Sequence, residues 1–284
     1  MREQLTKILG SVSKQIKHAR MHLNCIREVE ILRVLESLAT TPPQTVFVHS
    51  SLSKCGYVLG GPPAIIRAFR TWNSDGTLVM PTHTYCYPDK SGTREVFDPR
   101  TTKSCVGAIS NYFWQQPEVV RSLHPTHSVA AVGPEKEELC ASHETCDTPC
   151  GRGTPYERLI QHDAAVLMFG ATMNTYTLFH TAEDAAGVPY LYEPVPLELL
   201  ARGHRDSIIT IRMRRQDMSV RRRFEEMAAW LAKRQVLIRR SLGMGELLYI
   251  PSSARIHTLM REEMRRDPYF LVSPEARTKP LKIA

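Results

Sequence analysis

The chain has 284 residues, 42% hydrophobic and 23% charged, the composition of an ordinary globular protein long enough for one large domain or two small ones. No segment approaches the roughly 20 consecutive apolar residues of a membrane span, and residues 1–30 lack the apolar core of a signal peptide. Seven irregularly spaced cysteines suit reduced thiols better than a disulfide framework, so a cytoplasmic protein is expected, and the net charge of +8 is carried entirely by residues 201–240.

In chain order, residues 3–40 read as amphipathic helix, with apolar stripes at Leu5, Ile8 and Leu9 and at Ile31, Leu32, Leu35 and Leu38. Thr40, Thr41, Pro42 and Pro43 break that pattern. Residues 45–49 (TVFVH) are a β-branched and aromatic strand. The serines Ser50, Ser51 and Ser53 and the Gly60–Gly61 turn follow. A helix then opens at Pro62 or Pro63, with Ala64, Ile65, Ala68 and Phe69 as its apolar face. A strand, a small polar loop and a helix start expose backbone N–H groups that suit an anion. The segment matches neither a Walker loop nor GxGxxG.

Residues 76–85 (GTLVMPTHTY) predict another strand, carrying His83 and Tyr85 at its end. The long irregular stretch after it, with Asp98 near its centre, suits a binding loop. Residues 106–121 predict a helix with Pro117 near its end. His124, Thr126, His127 and Ser128 then stand before an apolar strand within residues 123–133. Further on, Pro189, Pro194 and Pro196 mark an extended segment. Residues 207–213 alternate like a strand, 224–233 read as helix, and 236–238 and 247–250 as short strands. Ser252 or Ser253 caps a last helix through Met264.

The most informative stretch is residues 166–186, VLMFGATMNTYTLFHTAEDAA. Four apolar residues end on Gly170 as a buried strand, and a helix capped by Thr172 or Asn174 is expected after it. On that helix Thr177, His180, Glu183 and Asp184 share one face. A histidine takes up protons near neutrality, and a carboxylate one turn away orients it. In an α/β sheet, ligands bind at the carboxyl ends of strands.

Cys140, His143, Cys146 and Cys150 are spaced tightly enough to bind zinc, but they lack paired C-x2-C knuckles. No metal is expected. The basic block of residues 201–240 carries no nucleic-acid-binding signature, so a solvated surface is expected there.

Several segments together resemble one family. They are VFVHSSLSKCGYVLGGPPAIIRAF, LVMPTHTY, FDPRTT, LHPTHSVAAVGP, GTPYERL and LMFGATMNTYTLFHTAED, in that order. The family is the aminoglycoside 3-N-acetyltransferases, the antibiotic N-acetyltransferase fold distinct from GNAT. The resemblance spans about residues 44–270. It implies an α/β fold with a mixed sheet and flanking helices; with no internal repeat or low-complexity linker, one domain over residues 1–284 is the economical reading. Within it, 1–43 would be N-terminal helices and 201–284 a basic C-terminal subregion.

The resemblance further implies acetyl-coenzyme A as co-substrate, and the 3-amino group of an aminoglycoside as acceptor. By position His180 would be the catalytic histidine and Glu183 its acid partner; the chemistry of amine attack on a thioester independently asks for His180 as general base and for Thr177 or a backbone N–H as donor to the oxyanion. His49, Ser50, Ser51, Leu52, Ser53, Gly60 and Gly61, with His124, Thr126 and Ser128, would bind the cofactor. By charge, Asp98 and Asp184, and Glu183 if it does more than orient His180, would hold a cationic acceptor, with His83 and Tyr85 beside them. Neither a nucleic acid nor a membrane partner is expected, and a homo-oligomer is left open. Two alternatives stay open as well: the same fold acting on another amine, and an inactive basic binding protein.

Overall fold

The computed structural model describes residues 25–278. The stripe at Leu5, Ile8 and Leu9 lies outside them. The second stripe forms helix α1 (Glu28–Glu36), with Ile31 and Leu35 buried. Strand β1 (Thr45–Ser50) follows, then a helical turn at Leu52–Cys55 and helix α2 (Gly61–Trp72), which has prolines in its first turn. Next come β2 (Thr77–Pro81), the short β3 (Val96–Phe97), α3 (Ala108–Trp114), β4 (Val120–Arg121) and β5 (Val129–Val132). Then α4 (Pro155–Gln161), β6 (Ala165–Phe169) and α5 (Leu178–Ala186) form the central unit. The remainder is β7 (Leu197–Arg202), β8 (Ile208–Met213), α6 (Phe224–Lys233), β9 (Ile238–Leu242), β10 (Gly245–Ile250) and α7 (Ser253–Arg266).

Seven strands form one mixed sheet in the order β4-β5-β2-β1-β6-β10-β9. Its centre, β2-β1-β6, is parallel, with Thr45 opposite Thr77 and Val46 opposite Ala165. Both flanks are antiparallel. The centre is apolar on both faces because helices cover both. Side chains alternate along each strand. Val46, Val48, Leu167 and Phe169 therefore meet α1, α2 and α3 through Ile31, Leu35, Ile65, Phe69 and Phe113. Phe47, Val166 and Met168 face the other way, onto Tyr156, Phe179 and Met260 of α4, α5 and α7. Burying each large apolar side chain contributes roughly 1.5–3 kcal/mol. That alternation sends His49, two residues beyond Phe47, toward the α5 face.

Several expectations need correction. The helix expected over residues 106–121 stops at Trp114, because Pro117 has no N–H to continue it. Val120 and Arg121 instead pair with Ala131 and Ala130. The helix expected to be capped by Thr172 or Asn174 begins at Leu178, since residues 173–175 make a separate 3-10 turn. The strand expected at residues 236–238 runs from Ile238 to Leu242, paired with β10.

A second sheet, β3-β7-β8, was only partly visible. Its β7 pairs with β8 from Leu197 opposite Met213 to Arg202 opposite Ile208. The flanking prolines gave no sign of a strand this long. Among the described residues no helix is long and apolar enough to cross a membrane.

Candidate active site

A cleft of about 730 Å³ opens at the carboxyl ends of β1, β2 and β6. Each strand supplies the residues that follow it. Strand β1 ends in Ser50 and is followed by Ser51; after β2 come His83 and Thr84, and after β6 Gly170, Ala171 and Thr172. Helix α5 contributes His180, and the turn before it contributes Tyr176 and Thr177. Gly170 holds a positive φ of 64°. A Cβ there would sit 2.5 Å from Cys55 Sγ and 2.7 Å from the Ser51 carbonyl oxygen, so only glycine lets the β1 and β6 turns approach this closely.

His180 is the best-oriented acid–base group in the cleft. Its Nδ1 lies 2.6 Å from Glu183 Oε2. Glu183 is fully buried, with Oε1 3.0 Å from Arg222 Nε and Oε2 3.4 Å from Arg222 Nη2. Burial opposes ionisation of Glu183, but the attraction of Arg222 and the hydrogen bond from His180 outweigh it, holding the carboxyl below its ordinary range. An ionised Glu183 accepts from Nδ1–H, which leaves Nε2 of neutral His180 as the proton acceptor.

Other histidines crowd the floor. Tyr156 donates its hydroxyl to the His127 carbonyl oxygen at 2.9 Å. His83 Nε2, 2.7 Å from that hydroxyl, must therefore donate to it. The His83 and His127 rings lie 4.7 Å apart, and His124 stacks on His143 at 4.3 Å. His124 Nδ1 accepts from the His127 backbone N–H at 3.0 Å. Burial, then His180, pushes His83 down to about 4; burial, then His83, pushes His49 down to about 3. His127 is held well below its ordinary value by burial and then by His83 and other neighbouring histidines. These rings are neutral and weakly basic at pH 7, and none has a carboxylate partner like Glu183.

The structure gathers some of the expected residues and not others. His49, Ser50, Ser51, Thr126, Thr177, His180, His83 and Tyr85 line the cleft. Leu52 instead packs against the core, Ser53 is exposed, and Gly60 and Gly61 form the start of α2 without lining the cleft. His124 and Ser128 are fully buried. Ser128 Oγ donates to the Thr82 carbonyl oxygen at 2.8 Å. Asp98 is ion-paired with Arg100 and Arg202 away from the cleft. Asp184 accepts from the Tyr192 hydroxyl at 2.5 Å. Glu183 has no exposed surface with which to touch a substrate.

Cys140, His143, Cys146 and Cys150 do not converge. His143 is bonded to Ser122 at 3.0 Å and to the Pro149 carbonyl oxygen at 3.3 Å, and among the described residues no group of three or more His, Cys, Asp or Glu is placed for a metal.

Sequence reasoning missed Arg222, Tyr156 and Arg215. Arg222 lies in a run of three arginines whose members look alike in sequence. Nothing local marks the one that is 5% exposed. Tyr156 stood within the GTPYERL motif, unassigned.

Comparison with known proteins bears on this geometry. The family model described as aminoglycoside 3-N-acetyltransferase matches residues 47–262. Aminoglycoside N(3)-acetyltransferase VIII of Streptomyces fradiae is 33% identical in an alignment 179 residues long that covers 56% of this chain and 61% of that protein. Aminoglycoside N(3)-acetyltransferase IV of Salmonella sp is 34% identical over 168 residues, 58% of this chain and 61% of that protein. The chain thus spans about three fifths of the length of these curated relatives. Among solved structures, aminoglycoside acetyltransferase AAC(3)-Xa superposes with a TM-score of 0.79 at 24% identity, covering 89% of this chain and 98% of that one. A variant of AAC(3)-IVa in complex with apramycin gives 0.72 at 28% identity, covering 88% and 96%. An AAC-IIIb binary complex with CoASH gives 0.75 at 21% identity, covering 85% and 97%.

Proposed function

The chain belongs to the aminoglycoside 3-N-acetyltransferase family, and from that premise we propose that it transfers the acetyl group of acetyl-coenzyme A directly to an amine, with His180 as general base. The observation that carries this reading is the His180–Glu183–Arg222 chain, which frees Nε2 of a neutral imidazole at the cleft. The acceptor that the relatives' names supply is the 3-amino group of an aminoglycoside.

The amine nitrogen attacks the thioester carbonyl and a C–N bond forms. His180 Nε2 takes the proton the nitrogen sheds. The tetrahedral intermediate collapses, the C–S bond breaks, and the thiolate leaves to be protonated in turn. Thr177 is suited to donate to the oxyanion, because among the described residues its hydroxyl is engaged by a long 3.4 Å bond to the Thr175 carbonyl oxygen. Ser50, Ser51 and the Gly170 turn form the wall we assign to the donor. Glu183 orients His180 and does not bind the ammonium.

The thiols are poor competitors for a covalent route. Burial raises Cys55 and Cys146 to about 11 and Cys140 to about 12, and it also raises Cys105, which lines the cleft. All seven cysteines are free, which supports a cytoplasmic site of action. A thiol-release assay with acetyl-coenzyme A and a panel of aminoglycosides tests the proposal. Release that requires both substrates and fails in His180→Ala is expected. Release that persists unchanged in that variant would assign the base elsewhere.

A further inference from the structure

The side chains that line the cleft include two formal charges, Lys54 and Arg215, and no aspartate or glutamate. Arg215 stands just beyond β8. Its guanidinium lies over Tyr87, 4.9 Å from the ring centroid, and its Nε is buried without a hydrogen-bond partner. Nearby arginines are matched: Arg214 by Asp147, Arg222 by Glu183 and Arg223 by Glu226. Arg215 has no ion pair among the described residues. Arg215 is half-buried, yet this one buried N–H is left without a partner, which is costly to keep, and a cleft of one sign concentrates ligands of the other.

We propose that the cleft acetylates amines that also carry an anionic group, a carboxylate or a phosphate, and that Arg215 receives that group. The proposal rests on the acetyltransferase reading and adds an acceptor class to it. A guanidinium pairs with carboxylate and phosphate through two parallel N–H···O bonds. The anion would tether the acceptor at the β8 side while its nitrogen reaches His180. The bonds exchanged are those of the parent reaction: C–N forms, C–S breaks, and the amine proton passes to His180 Nε2 and on to the leaving thiolate.

Coenzyme A also carries phosphates, so the two sources of an anion must be told apart. Lys54 lies on the turn after β1, beside the serines assigned to the donor. Arg215 enters from the three-stranded sheet. We therefore assign Lys54 to the donor and Arg215 to the acceptor.

The test uses the full chain, acetyl-coenzyme A and matched acceptors, O-phosphoethanolamine against ethanolamine and glucosamine 6-phosphate against glucosamine. We expect kcat/KM at least about tenfold higher for each phosphorylated amine, the factor of one charge-assisted contact. Arg215→Gln should bring that ratio close to one by raising the acceptor KM, with the acetyl-coenzyme A KM changed less than about twofold. Arg215→Lys, which keeps the charge, should keep part of the preference and guards against a folding artefact. Equal rates for charged and neutral partners would overturn the proposal. So would an Arg215→Gln defect confined to the acetyl-coenzyme A KM. Thiol release with aminoglycosides but none with phosphorylated amines would sink this inference and leave the acetyltransferase reading intact. Absence of release with every amine would remove both.

Discussion

Arg222 Nε stands 3.0 Å from Glu183 Oε1, across 39 residues of sequence, with the two side chains 5% and 0% exposed. A carboxylate so withdrawn cannot bind a substrate ammonium, but it can set the tautomer of the His180 ring beside it. Glu183→Gln should therefore lower kcat by about tenfold or more, within the 10²–10⁴ attributable to the base itself, and should leave the acceptor KM nearly unchanged. Steady-state kinetics with two acceptors check this. A large rise in acceptor KM would show that Glu183 also holds the acceptor amine.

Breaking the same pair from the other side should cost stability. Arg222→Met strands a buried carboxylate and should destabilise the fold by roughly 3–5 kcal/mol. The double variant Glu183→Met with Arg222→Met should recover much of that loss in urea melts without recovering activity. If the single variant melts like the parent, the carboxylate finds another partner or leaves the interior.

His180→Ala should reduce turnover by about 10²–10⁴ while the acetyl-coenzyme A KM changes little. His83 and His127 line the same cleft but are pushed toward weak basicity by burial and then by neighbouring rings, so neither should substitute. Near-parental turnover in the variant would show that one of them does.

The fold should be acid-labile. Burial first, and neighbouring groups after it, hold His49 and His143 down to about 3, His83 to about 4, and His124 and His127 well below their ordinary value. In the unfolded chain each titrates near 6.5. Below that pH the unfolded chain binds protons that the folded chain refuses. The stability is thus whole above about pH 6.5 and declines as the pH falls toward about 4, by roughly 1.4 kcal/mol per histidine per pH unit. Against a typical total of about 5–15 kcal/mol, even a few such groups should lower the melting temperature progressively as the pH falls below about 6.5. Melting temperatures from pH 7.5 downward read this directly; a flat profile would mean that the rings are already charged in the folded state.

Gly170→Ala should both destabilise the chain, by about 1–3 kcal/mol for a strained backbone, and raise the acetyl-coenzyme A KM. The added Cβ meets Cys55 Sγ and the Ser51 carbonyl oxygen, and so pushes the β1 turn away from the cleft. Donor kinetics unchanged in a folded Gly170→Ala would detach this wall from the donor.

Incubation with acetyl-coenzyme A alone should leave the mass of the chain unchanged. Cys105, the thiol lining the cleft, is raised above its ordinary value by burial, which keeps it protonated and unreactive at neutral pH. A stoichiometric acetyl-cysteine that passes its acetyl group to an amine would reverse the expectation of direct transfer.

The features legible in the bare sequence are local ones. Short continuous apolar runs located β1 and β6, and the glycine and polar turn after β6 marked the run into α5, because such signals show within a few residues. The three-residue spacing brought His180 and Glu183 onto one helix, and the ordered motifs identified the family. Packing settled everything that depends on distant partners. Asp98 was read as a ligand for the amine, yet Arg100 and Arg202 hold it away from the cleft. Gly60 and Gly61 were read as a cofactor cradle, yet they turn the chain into α2 without lining the cleft. Glu183 and Asp184 are adjacent in sequence, yet Arg222 buries with the first and Tyr192 engages the second. Burial and charge pairing are set by which elements pack together, and in this sheet those elements lie tens to hundreds of residues apart along the chain. The cationic lining of the cleft is of the same kind, because the sign of a pocket belongs to the side chains that fold toward it and not to the net charge of the sequence.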